Sequence, residues 1–322
     1  MNNSNSITSR RRFPRVGDPS TGIDQKTYAN LVLYTKYASA SYMTPCPRPL
    51  GNTLVGEFTN IVTAMHGFVA RDDKRNEIVV SIRGTKEVSS ILIGVADASV
   101  MLTPLQGIGL PPSTSQESSE QPRVHTGFLV AYQSIAHAML NVLGPQIDAY
   151  STYRVIATGH SLGVSSYPRS LCVCISLFIA HQTQGAIASI ASIAIRNSYP
   201  RTSISLYTIG QPRTGDLMYA ALVEKMIGVE NIYRGVHSID GVPTMIPMKF
   251  GYRHHATEYW QFTELSTSEH VKRCEGGEDP EGSGSIPSSG VNPAHWVYFG
   301  QRGSSHCSHL FLPSTLFDSD CI

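Results

Sequence analysis

The sequence lacks a dominant charge. Its 322 residues carry 25 lysines and arginines against 24 aspartates and glutamates, a formal net charge of +1. Without a basic excess there is no electrostatic footprint for a nucleic acid, and without an acidic block there is no solvating tail. It also lacks a long apolar run: the longest, Leu171 to Ala180, is about half of the ~20 residues that a membrane-spanning helix needs. Cysteine is scarce, with six residues at positions 46, 172, 174, 274, 307 and 321. They form no pair of CxxC motifs, which removes the usual structural zinc site, and they are too few for a disulfide-dense miniprotein. His306, Cys307 and His309 lie together, but such a run near the chain end reads as solvated tail before it reads as a metal site. No apolar stretch follows the basic residues Arg10, Arg11, Arg12 and Arg15, so no secretory signal is written there. Charged residues make up only 15% and apolar residues 41%, which excludes a disordered chain and allows a sizeable core.

What is present alternates between two periods. Asp24 to Tyr42 places Tyr28, Leu31, Val32 and Ala38 at helical spacing. Asn52 to Thr63 and Gly67 to Ala70 read as extended. Glu77 to Ile82 is a β-branched run suited to a buried strand, and it stops at Arg83-Gly84-Thr85. Residues 106–123, rich in Gly, Pro and Ser, read as a loop. Gly127 to Leu143 fits a helix, Tyr153 to Thr158 a strand, Ser203 to Ile209 a strand, Thr214 to Ile227 a helix and Asn231 to Ser238 a further strand. Alternating strands and helices predict an α/β fold around a mainly parallel sheet.

The chemistry centres on Gly159-His160-Ser161-Leu162-Gly163, a nucleophile-elbow pattern directly after a predicted strand. The reacting serine must sit on a tight strand-to-helix turn, and glycines at both flanks remove the side chains that would clash there. Serine is a poor nucleophile without a base that is itself oriented by an acid. In this arrangement the chain order is Ser, then Asp or Glu, then His. Asp240 follows a predicted strand in Val236-His237-Ser238-Ile239-Asp240-Gly241-Val242-Pro243, and His295 lies in Asn292-Pro293-Ala294-His295-Trp296. Alone, Asp240 before a glycine fits a turn and His295 among aromatics fits a packed core histidine. Order and context tilt both towards catalysis.

Taken together, several stretches resemble the fungal class 3 lipases, a family that also includes feruloyl esterases. They are Gly67 to Asp73, Arg83-Gly84-Thr85, Val124 to Phe128, the Ser161 elbow, Tyr207 to Arg213, the Asp240 segment, Arg253 to Trp260 and the His295 segment. The resemblance implies an α/β-hydrolase fold, with a central, mostly parallel mixed sheet flanked by helices and a lid over the active site. It implies Ser161 as nucleophile, Asp240 as orienting acid and His295 as general base. Thr85 and Leu162 would supply the oxyanion hole, and Lys86 to Ala98 would be the lid, with Val88, Ile91, Leu92, Ile93 and Val95 as its apolar face. The same lid pattern also fits a buried core helix. An apolar lid suits a lipid–water interface and favours acylglycerols over phenolic esters. The implied function is hydrolysis of acylglycerol esters through an acyl-enzyme; the alternatives are a feruloyl or phenolic-acid esterase and an impaired, mis-spliced isoform. The implied protein needs no cofactor or metal, binds a lipid or ester substrate and no nucleic acid, has no transmembrane segment, and acts as an extracellular monomer. The missing secretory signal would then reflect a truncated first exon. Cys46 matches a cysteine that the family bonds to one near the C-terminus, here Cys307 or Cys321, while Cys274 lacks its usual partner.

Domain boundaries follow: a disordered or extended arm over 1–22, one hydrolase domain over 23–301, and an atypical tail over 302–322. One departure interrupts the domain. The family continues from the elbow into a small-residue helix, which here comes late, as Gly185 to Asn197. The intervening Val164 to Gln184, 21 residues or 63 nucleotides, reads as a retained intron. Val164-Ser165 can be encoded by GTGAGT, a splice donor, and Gln184 can end in CAG, an acceptor. Removing the segment joins Gly163 to Gly185 in frame. Deleting Val164 to Gln184 is expected to raise soluble yield and esterase activity, and the dominant transcript is expected to lack these codons. A well-folded, active full-length protein beside an inactive deletion variant would refute this.

Overall fold

The computed structural model describes residues 13–83, 100–108, 121–160, 184–287, 290–302 and 307. Thr53–Asn60 (β1), Met65–Asp72 (β2) and Glu77–Arg83 (β3) form an antiparallel meander. Leu102–Pro104 (β4) and Arg123–His125 (β5) pair in a second, smaller sheet. Arg154–His160 (β6) then joins β3 in parallel, followed across the main sheet by Ile204–Ile209 (β7). Gly215–Asp216 (β8) joins the small sheet. Ile232–His237 (β9) continues the main sheet in parallel, Tyr252–Arg253 (β10) pairs with β8, and Glu258–Gln261 (β11) lies parallel to β9. Val271–Cys274 (β12) ends the main sheet antiparallel. The order across it is β1-β2-β3-β6-β7-β9-β11-β12, mixed but parallel through its five central strands.

Strand periodicity decides which side chains meet which helices. Val79, Ile156 and Tyr207 face Leu31, Tyr34 and Tyr37 of Gln25–Ala40 (α1). The alternate residues Ile78, Val80, Ile82, Val155, Ala157 and Leu206 face the other side. There they join Thr126–Ala149 (α2), Gln184–Ser198 (α3) and Leu217–Ile227 (α4). The start of α1 is fixed by Asp24, whose side chain accepts from Thr27 N at 2.8 Å. The last predicted helix begins later than its apolar spacing suggests. Gly215 and Asp216 are drawn into the small sheet, and Asp216 caps α4 by accepting from Tyr219 N at 2.8 Å.

The small-residue helix α3 lies at the centre. Residues 186–195 are all at most 1% exposed. The helix packs under β6 and β7 and between α2 and α4, so no face is left for solvent. Its alanines and serines allow that close approach. Ser192 Oγ donates to the Ser189 carbonyl at 2.7 Å, and Ser189 Oγ hydrogen-bonds the Tyr219 hydroxyl at 2.7 Å, so the buried hydroxyls are satisfied.

Both chain ends are tied down where they are described. Residues 13–22 run along β12: Gly22 N donates to Val271 O and Arg273 N to Ser20 O, each at 2.9 Å, and the Phe13 ring lies 5.8 Å from Trp260. This extended arm covers the edge of the sheet. Cys46 and Cys307 form a disulfide, with Cα atoms 5.4 Å apart. Cys307 is therefore no solvated tail residue: the bond closes a span of 261 residues and anchors it beyond the end of α1. Cys274 is a buried free thiol. Among the described residues no helix is long and apolar enough to cross a membrane.

The tightness of α3 is testable. Ala188→Leu adds three heavy atoms to a fully enclosed position and is expected to lower the unfolding free energy by ~1–3 kcal/mol in urea titration. Wild-type stability would show that α3 is less closely packed.

Candidate active site

The five parallel strands end on one side of the sheet, the side on which α/β folds place their chemistry. β6 sits between β3 and β7, and its last residues, Gly159 and His160, are buried. The Tyr42 hydroxyl donates to the His160 carbonyl at 2.8 Å, which braces the strand end just before Ser161. Ser161, Leu162 and Gly163 themselves lie outside the described residues. So do Thr85, the segment Lys86 to Ala98 with Val88, Ile91, Leu92, Ile93 and Val95, and residues 164–183.

Two further segments converge on this strand end. The first leaves β9 at His237. Ser238 takes a left-handed conformation (φ 46°), held by Ser238 N donating to Gln261 O at 2.7 Å and by Trp260 Nε1 donating to Ser238 O at 3.0 Å. The chain then turns so that Asp240 N donates to His237 O at 2.9 Å. The second is the short helical turn Pro293–Trp296, capped by Asn292, whose Oδ1 accepts from Ala294 N at 3.0 Å. These turns bring together Asp240 and His295, 55 residues apart in sequence. His295 Nδ1–H donates to Asp240 Oδ2 at 2.8 Å, with both side chains buried. Asp240 Oδ1 accepts from Val242 N at 2.9 Å, and Oδ2 also accepts from the Tyr298 hydroxyl. With Nδ1 committed to the carboxylate, Nε2 is the ring nitrogen free to take a proton from a nucleophile.

Two neighbouring titratable groups are pushed towards their neutral forms. Burial, and then the charge of Asp240, push the Tyr298 hydroxyl pKa well above its ordinary value, so Tyr298 remains a donor. Burial, and then the proximity of His295, push the His160 pKa well below its ordinary value; the two rings are 5.7 Å apart. A neutral His160 places no standing positive charge against an imidazolium forming on His295. Gly210 (φ 60°) supplies the space: a Cβ there would stand 2.9 Å from His295 Cε1 and 2.8 Å from the Tyr298 hydroxyl.

A second layer holds the loop after Asp240. Arg213 makes a two-pronged ion pair with Glu278 at 2.7 and 2.8 Å, and its Nη1 donates to Ile246 O at 2.8 Å. His255 Nε2 lies 3.0 Å from both Ser189 Oγ and Gln211 Nε2, which links this region to α3. Burial, and then the charge of Arg234, lower the His255 pKa to about 3.

The structure thus unites two of the candidate residues, Asp240 and His295, beside a third segment, Gly159-His160. Sequence reading overlooked Tyr298, Gly210 and Tyr42. The spacing His295-x-x-Tyr298 carries the Tyr298 signal, because three residues through a short helical turn return the chain to the same carboxylate. Nothing local marks Tyr42, whose partner is 118 residues away.

Comparison with known proteins agrees with this geometry. The profile of the class 3 lipase family, "Lipase (class 3)", matches residues 79–166 and 178–250. The break in the match falls inside Val164 to Gln184. A secreted mono- and diacylglycerol lipase of Fusarium solani is 29% identical over 265 residues, covering 81% of this chain and 67% of its own. A lipase of Rhizopus niveus is 30% identical over 210 residues, covering 64% of this chain. The match spans less than half, 44%, of that relative's length. The crystal structure of a lipase from Rhizopus microsporus var. chinensis superposes with a TM-score of 0.67 at 26% identity, covering 92% of this chain and 97% of that one. The shared architecture is the α/β-hydrolase fold.

Removing the third donor to Asp240 should be felt chemically. Tyr298→Phe keeps the ring but deletes a hydrogen bond to a charged group, a class worth ~1.5–3 kcal/mol. It is expected to lower kcat on a soluble ester by about tenfold or more at nearly constant KM. An unchanged kcat would remove Tyr298 from the site.

Proposed function

Because the chain belongs to the class 3 lipase family, we propose that it is a serine ester hydrolase that cleaves acylglycerol esters through an acyl-enzyme. The observation that carries this reading is the buried Asp240–His295 pair beside the end of β6, where the sequence continues into Ser161. In the proposed mechanism Ser161 Oγ attacks the ester carbonyl while His295 Nε2 takes its proton. Asp240 holds the ring in the tautomer that makes Nε2 the base, and its charge stabilises the imidazolium that forms. Backbone N–H groups of Thr85 and Leu162, with the Thr85 hydroxyl, receive the oxyanion; each such donor contributes ~3–4 kcal/mol in comparable sites. The imidazolium then protonates the leaving alcohol. A water, activated by the same nitrogen, releases the acid and restores Ser161.

Several features support an acylglycerol as substrate. The Fusarium relative carries that activity in its name. The near-neutral chain fits an uncharged ester, and the apolar sequence Lys86 to Ala98 suits a lid that opens at a lipid–water interface. We place the protein outside the cell, as a monomer. The Fusarium relative is named as secreted, and the Cys46–Cys307 disulfide fits an oxidising compartment. The retained-intron reading of Val164 to Gln184 is supported by the family match, which breaks within it, and by α3, which begins at its end.

The test is hydrolysis of nitrophenyl esters of increasing chain length, of a triacylglycerol emulsion and of a feruloyl ester. Expected are turnover of the acyl esters and the emulsion, and a loss on the order of 10⁵ or more in Ser161→Ala. Preference for the feruloyl ester would reassign the substrate class. Activity unaffected by Ser161→Ala would overturn the mechanism.

A further inference from the structure

We propose that His237 is a positioning residue for the general base, acting through the peptide bond that carries His295. This rests on the catalytic reading of Asp240 and His295 given above. His237 is the last residue of β9 and is 1% exposed. Its Nδ1 lies 2.9 Å from the carbonyl oxygen of Ala294. That carbonyl belongs to the Ala294–His295 peptide, whose N–H donates to Asn292 O at 2.9 Å. Both polar atoms of one rigid plane are therefore held, the oxygen by His237 and the nitrogen by Asn292. Because the peptide is planar, fixing it sets the position of the His295 Cα from which the ring reaches Asp240.

His237 also reaches the acid. Its carbonyl accepts from Asp240 N at 2.9 Å, and its ring lies 5.7 Å from that of Tyr298. One residue thus holds the carboxylate segment through its main chain and the imidazole segment through its side chain. The need is evident from the topology: no β-ladder joins the two segments around their catalytic residues. Besides the bonds to Asp240 itself, the described residues show an isolated bridge between Gly241 and Gly290 and an exposed bond from Asn292 Nδ2 to Ile239 O at 2.6 Å. Water competes for an exposed bond, whereas loss of the His237 donor would leave the buried Ala294 carbonyl unpaired. The left-handed Ser238 directly after His237 adds strain that must be held in place.

A buried histidine that merely fills the core is the competing account, and the two differ in kinetics per active site. His237→Asn keeps an N–H donor near the place of Nδ1. His237→Gln moves its donor to the place of Nε2, and His237→Leu has none. Active-site concentration is measured by stoichiometric phosphonate labelling of Ser161, and turnover on a soluble nitrophenyl butyrate is divided by it. The Leu and Gln variants are expected to lose about tenfold or more in kcat, with KM within about twofold, while Asn recovers most of the loss; displacements near 1 Å at a reacting group cost up to ~10²-fold. If Leu does not fold, Gln against Asn makes the same comparison. Wild-type kcat per labelled site in Gln or Leu, even with a lower melting temperature, would overturn the proposal, as would equal losses in Gln and Asn. Absence of both Ser161 labelling and activity in the wild-type chain and in the chain lacking Val164 to Gln184 would overturn the ester-hydrolase reading, and this inference with it.

Discussion

A fully buried carboxylate must be met by donors, since an unpaired charge in the interior would cost several kcal/mol. Asp240 is met by three: the Val242 N–H on one oxygen, and the His295 ring and Tyr298 hydroxyl on the other. These donors come from the loop after β9 and from the turn at residues 293–298, so satisfying one side chain fixes two segments against each other. Gly210 at the end of β7 leaves room for the ring and the hydroxyl, and the Arg213–Glu278 pair secures the loop beyond. Much of the architecture at this end of the sheet can be read as a way to keep that carboxylate both dry and satisfied.

The same requirement explains what could be read in the sequence. The strands were legible because β-branched runs such as Glu77 to Ile82 are buried on both faces, and α3 because its small residues form an uninterrupted block. Asp240 and His295 were legible through chain order and resemblance, since each alone also fits an ordinary turn or core residue. Tyr298, Gly210, His237 and Tyr42 escaped because their roles lie in partners that folding brings near. The start of α4 was misplaced because pairing of Gly215 and Asp216 with Tyr252 and Arg253 outweighs local helical spacing. Cys307 escaped the solvated-tail reading only through its bond to Cys46, since neighbouring histidines and serines give no sign of burial.

The position of α3 bears on the odd segment before it. β6 pairs with β7 from Val155 to His160, and α3 packs on both strands. A Cβ on Gly185, its second residue, would stand 2.9 Å from Gln211 Cβ. The helix is therefore seated closely from its first turn.

The charge around His295 follows from the same burial. Burial raises the Tyr298 hydroxyl pKa well above its ordinary value and lowers that of His160 well below its own, so both favour their neutral forms. A proton arriving on His295 then forms an ion pair with Asp240 across an existing 2.8 Å hydrogen bond. No nearby side chain has to reorient to receive it, and no cation at His160 opposes it. In a low-dielectric setting such preorganisation lowers the cost of charge separation. On the proposed mechanism the neutral Tyr298 and His160 therefore matter alongside the carboxylate, because neither opposes a positive charge on His295.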